Sequence, residues 1–367
     1  MTKGEIRLAV KVYIDGQEGT TGLRITERFS GRDDIELLRI DEDKRKDTEE
    51  RKRLINSSDF TFLCLPDAAA IEAVSLVENE NVRILDASTA HRTNDGWVYG
   101  FPELSETQRE KIRTTKRLAV PGCYASGFVS LVNPLVSAGI MQPDFPVFAY
   151  ATSGYSGAGK KAIAVYEGGD KPYEFNSPRQ YALTQAHKHL PEMQKISGLT
   201  VKPMFNPIVC DYYSGMVVSV PVQTRLLEKK CGISDIYEAL AKHYEGQKMV
   251  SVMSMGGTAE IPDGFLASNT LSNHDRMQIP HYFLTFTIII AIYRTGQMKR
   301  LISDTPAHIQ KLYVILIFIT KKLTVTGTPL PEDQHNLLVV VALNQLLEMK
   351  HVRKHMNFLM NVDFFIQ

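Results

Sequence analysis

The 367-residue chain is poor in cysteine, with four in all and no C-x-x-C pair among them. Cys64, Cys123, Cys210 and Cys231 therefore read as reduced thiols of a cytoplasmic protein rather than a disulfide framework, and no metal site is expected. Excess charge is lacking too: 42 Lys+Arg against 41 Asp+Glu leave a net charge of +1. Such a chain has no field to gather nucleic acid or an anionic membrane. No apolar run approaches the ~20 residues of a spanning helix, and the longest covers residues 282–293. The start, Met1-Thr-Lys-Gly-Glu-Ile-Arg, lacks an apolar stretch, so no secretory signal is expected. Repeats and low-complexity linkers are absent as well. What remains is 44% apolar and 23% charged, an ordinary globular composition at a length suited to two domains.

The first hundred residues alternate between two periods. Residues 8–14 are β-branched and apolar, and 20–29 have helical spacing. Strands are expected again at 35–40, 60–65 and 82–85, with helices at 48–56 and 68–76. Strand, helix and strand at this spacing give βαβ units, and so an α/β fold with a parallel, doubly wound sheet of the Rossmann type.

Between the first strand and the first helix stands Gly16-Gln-Glu-Gly19-Thr20-Thr-Gly22. A glycine-rich turn at a helix start leaves N–H groups free and lets a pyrophosphate approach closely. Its position after strand one makes it a dinucleotide turn, although the spacing is G-x-x-G-x-x-G rather than G-x-G-x-x-G. Past strand two, Asp41 suits a ribose 2′-OH, while Arg39, Lys44, Arg45 and Lys46 suit a 2′-phosphate. The cations favour NADP(H) over NAD, with a solvated charged loop as the alternative.

Beyond residue 86 the loops become chemically dense. Asp86-Ala-Ser88-Thr-Ala-His91-Arg92 follows strand four, where ligands sit in such sheets. Cys123 lies in Pro121-Gly122-Cys123-Tyr124-Ala125, at a strand-to-helix turn, where a helix N-terminus favours the nucleophilic thiolate. N–H groups beside it could hold an oxyanion. His187 and His189 stand two apart with Glu192 nearby, and in an extended segment both rings point the same way. Either imidazole could move the thiol's proton, and plain surface histidines are the alternative. Between them and Cys123 runs Ser153-Gly-Tyr-Ser156-Gly157-Ala-Gly-Lys160-Lys161, a small-residue turn suited to anions or simply a loop.

These motifs occur in an order that resembles N-acetyl-γ-glutamyl-phosphate reductase, most similar to its shorter type 2 branch, over residues 8 to 279. The set also includes Asp86-x-Ser88-x-x-x-Arg92, Tyr99-Gly-Phe-Pro-Glu-Leu104 and His187-Lys-His-Leu-Pro-Glu192. The resemblance implies a cofactor domain at 1–120 and an α+β catalytic and dimerisation domain at 121–267. Residues 268–367 would return to the cofactor domain. It implies NADPH-dependent reduction of N-acetylglutamyl 5-phosphate to the 5-semialdehyde, a small-molecule acyl-phosphate substrate, and a homo-oligomer. Cys123 is then the nucleophile, with His187 first and His189 second for acid/base work, and Glu192 orienting them. Gly16, Gly19, Thr20, Gly22, Arg39, Ser88, Ser156 and Gly157 fall to the cofactor, and Arg92 and Lys160 to the substrate. Aspartate-semialdehyde dehydrogenase shares the mechanism and is the alternative for substrate.

After residue 279 the pattern breaks. The glycine-rich stretch that the resemblance leads one to expect is missing, and only Gly296 and Gly327 follow Pro280. Half of the ten histidines fall there. Such a break points to an altered reading frame, splice or fusion, with a β-rich stretch at 282–293, another at 312–319 and a helix near 336–349. A terminus changed in this way also admits a catalytically impaired dinucleotide-binding protein.

Overall fold

A computed structural model describes residues 9–227, 230–255, 261, 264–272, 274–282 and 287–293. All of them belong to one compact unit, Met1–Lys299. The expected elements at 312–319 and 336–349 lie outside the described residues.

The first half alternates as its periodicity requires: β1 (Val10–Asp15), α1 (Thr20–Phe29), β2 (Ile35–Leu38), α2 (Thr48–Ser57), β3 (Phe60–Leu63), α3 (Asp67–Ser75), β4 (Arg83–Asp86), β5 (Val98–Tyr99), α4 (Gln108–Thr114) and β6 (Arg117–Ala119). The six strands form one sheet in the order β2-β1-β3-β4-β6-β5, and every pairing is parallel. Tyr13, Ile55, Leu63, Ala70 and Ile84 fill its core. The winding direction reverses between β1 and β3, and ligands of such sheets bind at the carboxyl ends beside that switch. Strand ends differ from expectation by one or two residues, as end effects allow.

The second half opens with α5 (Cys123–Ser137), whose sequence is apolar almost throughout and is accordingly buried on most sides. It continues through β7 (Phe148–Gly154), α6 (Lys160–Glu167), β8 (Arg179–Gln180), α7 (Leu190–Ser197), β9 (Met204–Cys210), β10 (Met216–Val222), α8 (Ile233–His243), β11 (Val250–Val252), β12 (Met277–Ile279), β13 (His281–Tyr282) and β14 (Thr287–Tyr293). These eight strands make a mixed sheet, β11-β12-β14-β10-β7-β9-β8, with β13 on β14. Phe128, Leu131, Leu135, Val218, Val220 and Leu240 join helices and sheet into the larger core. The segment past residue 279, where the motif pattern breaks, still places β14 antiparallel to β10 over seven residue pairs, from Met216↔Tyr293 to Val222↔Thr287.

Candidate active site

The parallel strands bring four loops to one edge of the first sheet: the glycine turn after β1, Leu65-Pro66 after β3, residues 87–92 after β4, and the Pro121-Gly122 turn after β6. Gly16 has φ +85°, and a Cβ there would collide with the carbonyl oxygen of Cys64 at the end of β3, so the turn lies against the switch point itself. The Gly19 N–H donates to Gly16 O at 3.0 Å and closes the turn. Gly19 also caps α1, with no side chain covering the helix start, and Gly22 packs onto Gly16 O. Thr20 opens the helix; its side chain lies outside the described residues. Beside the turn, Gln17, Leu23, Leu37, Leu38 and Arg39 line a cleft. Lys44 pairs with Asp41 at 3.6 Å and Arg45 with Glu42 at 2.7 Å, so two of the expected cations are already matched. Arg39 has no ion-pair partner among the described residues.

Cys123 is the first residue of α5, behind Gly122 as N-cap. The main-chain N–H groups of Cys123 and Tyr124 and the Arg92 guanidinium favour its thiolate, and the Glu192 carboxylate opposes it. Burial nevertheless dominates and pushes the thiol above its ordinary range. The expected depressed thiol does not follow: the helix start is present, but burial of this half-buried residue outweighs its pull. Gly122 is confined for a different reason. A Cβ on it would stand 2.5 Å from Arg92 Nη1 and 2.6 Å from His189 Nε2, so only glycine lets these two groups reach the cysteine turn.

The two histidines do share the site, though not as an extended pair. His189 is helical (φ −85°, ψ −8°) and caps α7, and the rings meet edge to face at 4.8 Å. The His189 N–H donates to His187 Nδ1 at 3.1 Å, which puts the proton of neutral His187 on Nε2. Burial and the neighbouring Lys188 hold His187 down at about 4. Burial, with Arg92 and His187 beside it, takes His189 to about 2, and its buried Nδ1 has no partner. Gln185 fixes the segment. Its amide donates from Nε2 to Phe205 O and accepts from the Phe205 N–H, both at 2.9 Å, as a strand would. Ala182 and Gln185 sit at φ +54° and +55°, the strained conformation this brace sustains.

Glu192 takes a different place from the one expected. Its carboxylate accepts from Arg92 Nη1 at 3.0 Å, the Tyr99 hydroxyl at 2.7 Å and the Gly122 N–H at 2.7 Å, not from an imidazole. Arg92 also donates to Val120 O and Ala87 O, so the guanidinium is committed within the protein rather than turned to a substrate. Ser88 donates its hydroxyl to Asp86, which also binds His91 Nδ1 at 2.6 Å and so shapes this loop. Ser156 lies buried with an unpartnered Oγ, while Gly157 and Lys160 are exposed. Sequence reasoning missed Tyr181, whose hydroxyl donates to Tyr124 OH at 3.0 Å, and Tyr124 in turn meets Ser153 Oγ at 2.6 Å. Only proximity in three dimensions reveals that chain.

Residues 10–114 match the semialdehyde dehydrogenase NAD binding domain, and 123–279 match the semialdehyde dehydrogenase dimerisation domain. N-acetyl-gamma-glutamyl-phosphate reductase of Trichormus variabilis is 45% identical over 277 residues, covering 73% of this chain and 85% of that one. N-acetyl-gamma-glutamyl-phosphate reductase 2 of Pseudomonas putida is 44% identical over 266 residues, covering 71% and 84%. Aspartate semialdehyde dehydrogenase from Francisella tularensis shares the fold with a TM-score of 0.56 at 14% identity, over 78% of this chain and 94% of that one. With relatives this similar across both sheets, the chain belongs to the N-acetyl-γ-glutamyl-phosphate reductase family of semialdehyde dehydrogenases.

Proposed function

We propose that the protein reduces N-acetyl-L-glutamyl 5-phosphate to N-acetyl-L-glutamate 5-semialdehyde and phosphate with NADPH, as a step of arginine biosynthesis. The observation that carries this reading is the cysteine turn. A cysteine heads a helix, with His189 against Gly122 before it and both imidazoles packed on Tyr124 after it, at the sheet edge that also holds the glycine turn. The NAD binding domain makes the cofactor a nicotinamide dinucleotide. Gly16, Gly19, Thr20 and Gly22 would cradle its pyrophosphate at the uncapped start of α1, and the close fit of Gly16 on Cys64 leaves that cradle clear of side chains. Arg39, free of a carboxylate, would take a 2′-phosphate, which favours NADP(H). Ser88 shapes its loop, and Ser156 Oγ and the Gly157 main chain are left for the nicotinamide side. When bound, the reduced dinucleotide supplies a hydride.

The chain's own part begins with Cys123. His187 accepts the thiol proton, Sγ attacks the acyl carbon, and phosphate leaves, so that a thioester remains. The N–H groups at the start of α5 hold the oxyanion of each tetrahedral stage. After reduction the same imidazole returns the proton as the sulfur departs. His189, wedged at Gly122, holds the turn and is the second choice for acid/base work. Glu192 and Arg92 position the turn rather than touch substrate, and Lys160 faces solvent where an anion enters. Cofactor and catalytic roles are assigned to 1–120 and 121–267; the described strands of 268–367, β12 to β14, belong to the second sheet. A second copy would cover the second sheet's outer face, where Phe148, Tyr150 and Met204 are exposed.

The decisive assay follows 340 nm absorbance with NADPH and the acyl phosphate, or phosphate-dependent oxidation of the semialdehyde. Turnover is expected, with N-acetylglutamate semialdehyde outcompeting aspartate semialdehyde. Dinucleotide binding without any turnover by folded protein would overturn the reading in favour of a silent binding protein.

A further inference from the structure

The buried pair Asp86–His91 has no part in the mechanism above. Asp86 ends β4, and both side chains are closed off from solvent almost completely. Three donors converge on the carboxylate. The Ser88 N–H reaches Oδ1 at 2.9 Å, the Ser88 hydroxyl reaches Oδ2 at 2.7 Å, and His91 Nδ1 lies 2.6 Å from Oδ2. A carboxylate that takes both Ser88 donors is an acceptor, so Nδ1 carries the proton of this third bond. Trp97 fixes the ring plane, stacked on the imidazole at 4.1 Å and 15° from parallel.

An apolar ring would stack on Trp97 as well, and Ser88 alone already turns the chain back onto Asp86. What the imidazole adds is a second pin at the far end of the loop. Ser88 holds the beginning, and His91 holds the residue directly before Arg92. The Arg92 guanidinium is spent on Val120 O at 2.9 Å, Ala87 O at 3.1 Å and Glu192 at 3.0 Å. Glu192 in turn accepts the Gly122 N–H, next to Cys123. The main chain closes the same circuit from the other side, since the Val120 N–H donates to Asp86 O at 2.7 Å. One buried carboxylate therefore stands at the root of both paths to the cysteine turn.

We propose that His91 is a positioning residue, which acts through Arg92 and Glu192 on the turn that carries Cys123. Without the Nδ1 bond the main chain at 91–92 loses its anchor, and a guanidinium fork with three fixed acceptors tolerates little displacement. The support that Arg92 gives the Cys123 thiolate weakens with it. The cofactor side is spared. Ser88 keeps both of its own bonds to Asp86, and Thr89 is held separately by Asp67, through its N–H at 2.8 Å and its hydroxyl at 2.5 Å. The role rests on the proposed function, in which Cys123 is the nucleophile.

Two variants of the full-length protein separate the hydrogen bond from the stack. His91→Phe keeps a ring against Trp97 and loses the donor, whereas His91→Asn loses the ring and keeps an amide donor at the Nδ1 position. Two readouts are taken. One is kcat and the KM for NADPH in the reductase assay. The other is the rate at which iodoacetamide alkylates Cys123, followed by peptide mass with half-buried Cys210 and Cys231 as internal controls. His91→Phe is expected to lower kcat about 10-fold and to slow Cys123 alkylation about 10-fold. The KM for NADPH should stay within about 3-fold and the controls unchanged, a split that removal of a group acting only on the reacting end produces. His91→Asn should stay within about 3-fold of wild type on every count. In an Arg92→Lys background, where the fork is already lost, His91→Phe should cost less than about 2-fold more. Should the phenylalanine variant not fold, His91→Gln, whose amide reaches past the Nδ1 position, takes its place with the same expectation. Equal losses for the phenylalanine and asparagine variants, or wild-type alkylation of Cys123 in the former, overturn the role of His91. Alkylation needs no turnover. A folded wild type that reacts at Cys123 and reduces nothing overturns the proposed function, while the alkylation rates still decide whether His91 positions the turn.

Discussion

The glycine turn after β1 and the cysteine turn after β6 share one sheet edge, and each is backed by a buried arginine–carboxylate pair. Beneath the glycine turn, Arg51 of α2 donates to Asp15 Oδ2 from Nε and Nη2 at 3.1 and 3.0 Å, with half-exposed Glu72 at 3.4 Å as a second acceptor. Both members come from the cofactor half. Burial pushes the Asp15 carboxyl up, against the pull of Arg51, so desolvation is not fully offset by attraction. Beneath the cysteine turn, Arg92 and Tyr99 come from the first sheet's loops and Glu192 from α7 of the second half. That carboxylate bonds the Gly122 N–H directly. One pair is a local footing under the glycine turn. The other ties both halves of the unit to Gly122, the residue before Cys123.

The contrast is broken most completely by removing chemistry from one turn. Cys123→Ser should lower reduction by several orders of magnitude, because the serine hydroxyl ionises far less readily and its ester accepts hydride poorly. NADPH binding by calorimetry should be unchanged, since the glycine turn is a separate loop. His187→Asn should cost roughly 10²–10⁴-fold and His189→Asn less. Should the 189 variant be the more damaged, the two roles are exchanged. Near-normal turnover by Cys123→Ser would sink covalent catalysis here.

The two pairs themselves come next. Glu192→Gln leaves Arg92 buried without a carboxylate, at a cost of about 3–5 kcal/mol. A melting temperature lower by roughly 10 °C is expected, together with a fall in kcat at saturating cofactor. Asp15→Asn leaves Arg51 the half-exposed Glu72, so about 1–3 kcal/mol is expected. Its kinetic mark should be weaker dinucleotide binding with kcat preserved. If both variants lose kcat alike, the distinction between footing and tie is wrong.

How much of this was legible in sequence follows the range of each interaction. The first sheet was, because strand and helix periods are local and the Gly16–Gly22 turn has a spacing of its own. Cys123 was, because Pro121 and Gly122 announce a helix start. The partners of Glu192 were not. Arg92, Tyr99 and Gly122 lie 100, 93 and 70 residues away, and no periodicity encodes those separations. The sign of the thiol's shift was missed as well, because sequence reveals a helix start but not how thoroughly packing dries it. The shared direction of His187 and His189 failed at the turn into α7, where His189 leaves extended backbone.

A smaller effect sharpens the cofactor side. Arg39→Ala should raise the Kd for NADPH about 10- to 100-fold and leave NADH binding nearly unchanged, as loss of one charge-assisted contact to a 2′-phosphate requires. Lys46→Ala should do less, since Lys46 stands further along the same loop. Equal weakening of both dinucleotides would place Arg39 at the pyrophosphate or the adenine instead, and the preference for NADP(H) would fall with it.

The smallest effect is on stability in mild acid, and it falls on one turn only. The first histidine of the chain is His91, so none stands in the elements that carry the glycine turn, whereas His187 and His189 adjoin the cysteine turn. Burial holds these two down at about 4 and about 2, against an ordinary value of 6.5. The unfolded chain therefore takes up protons below about pH 6.5 that the folded chain refuses. Their contribution is complete above that pH and is lost as the pH falls towards the folded values. For His189 the loss is about 1.4 kcal/mol per pH unit, and for half-exposed His187 it is less. Between pH 6.5 and 5 this amounts to a melting temperature lower by roughly 4–8 °C. His189→Asn should flatten that slope, because asparagine takes up no proton in either state, even if the variant is less stable at pH 7. Parallel slopes for variant and wild type would mean that His189 is not held neutral by the fold.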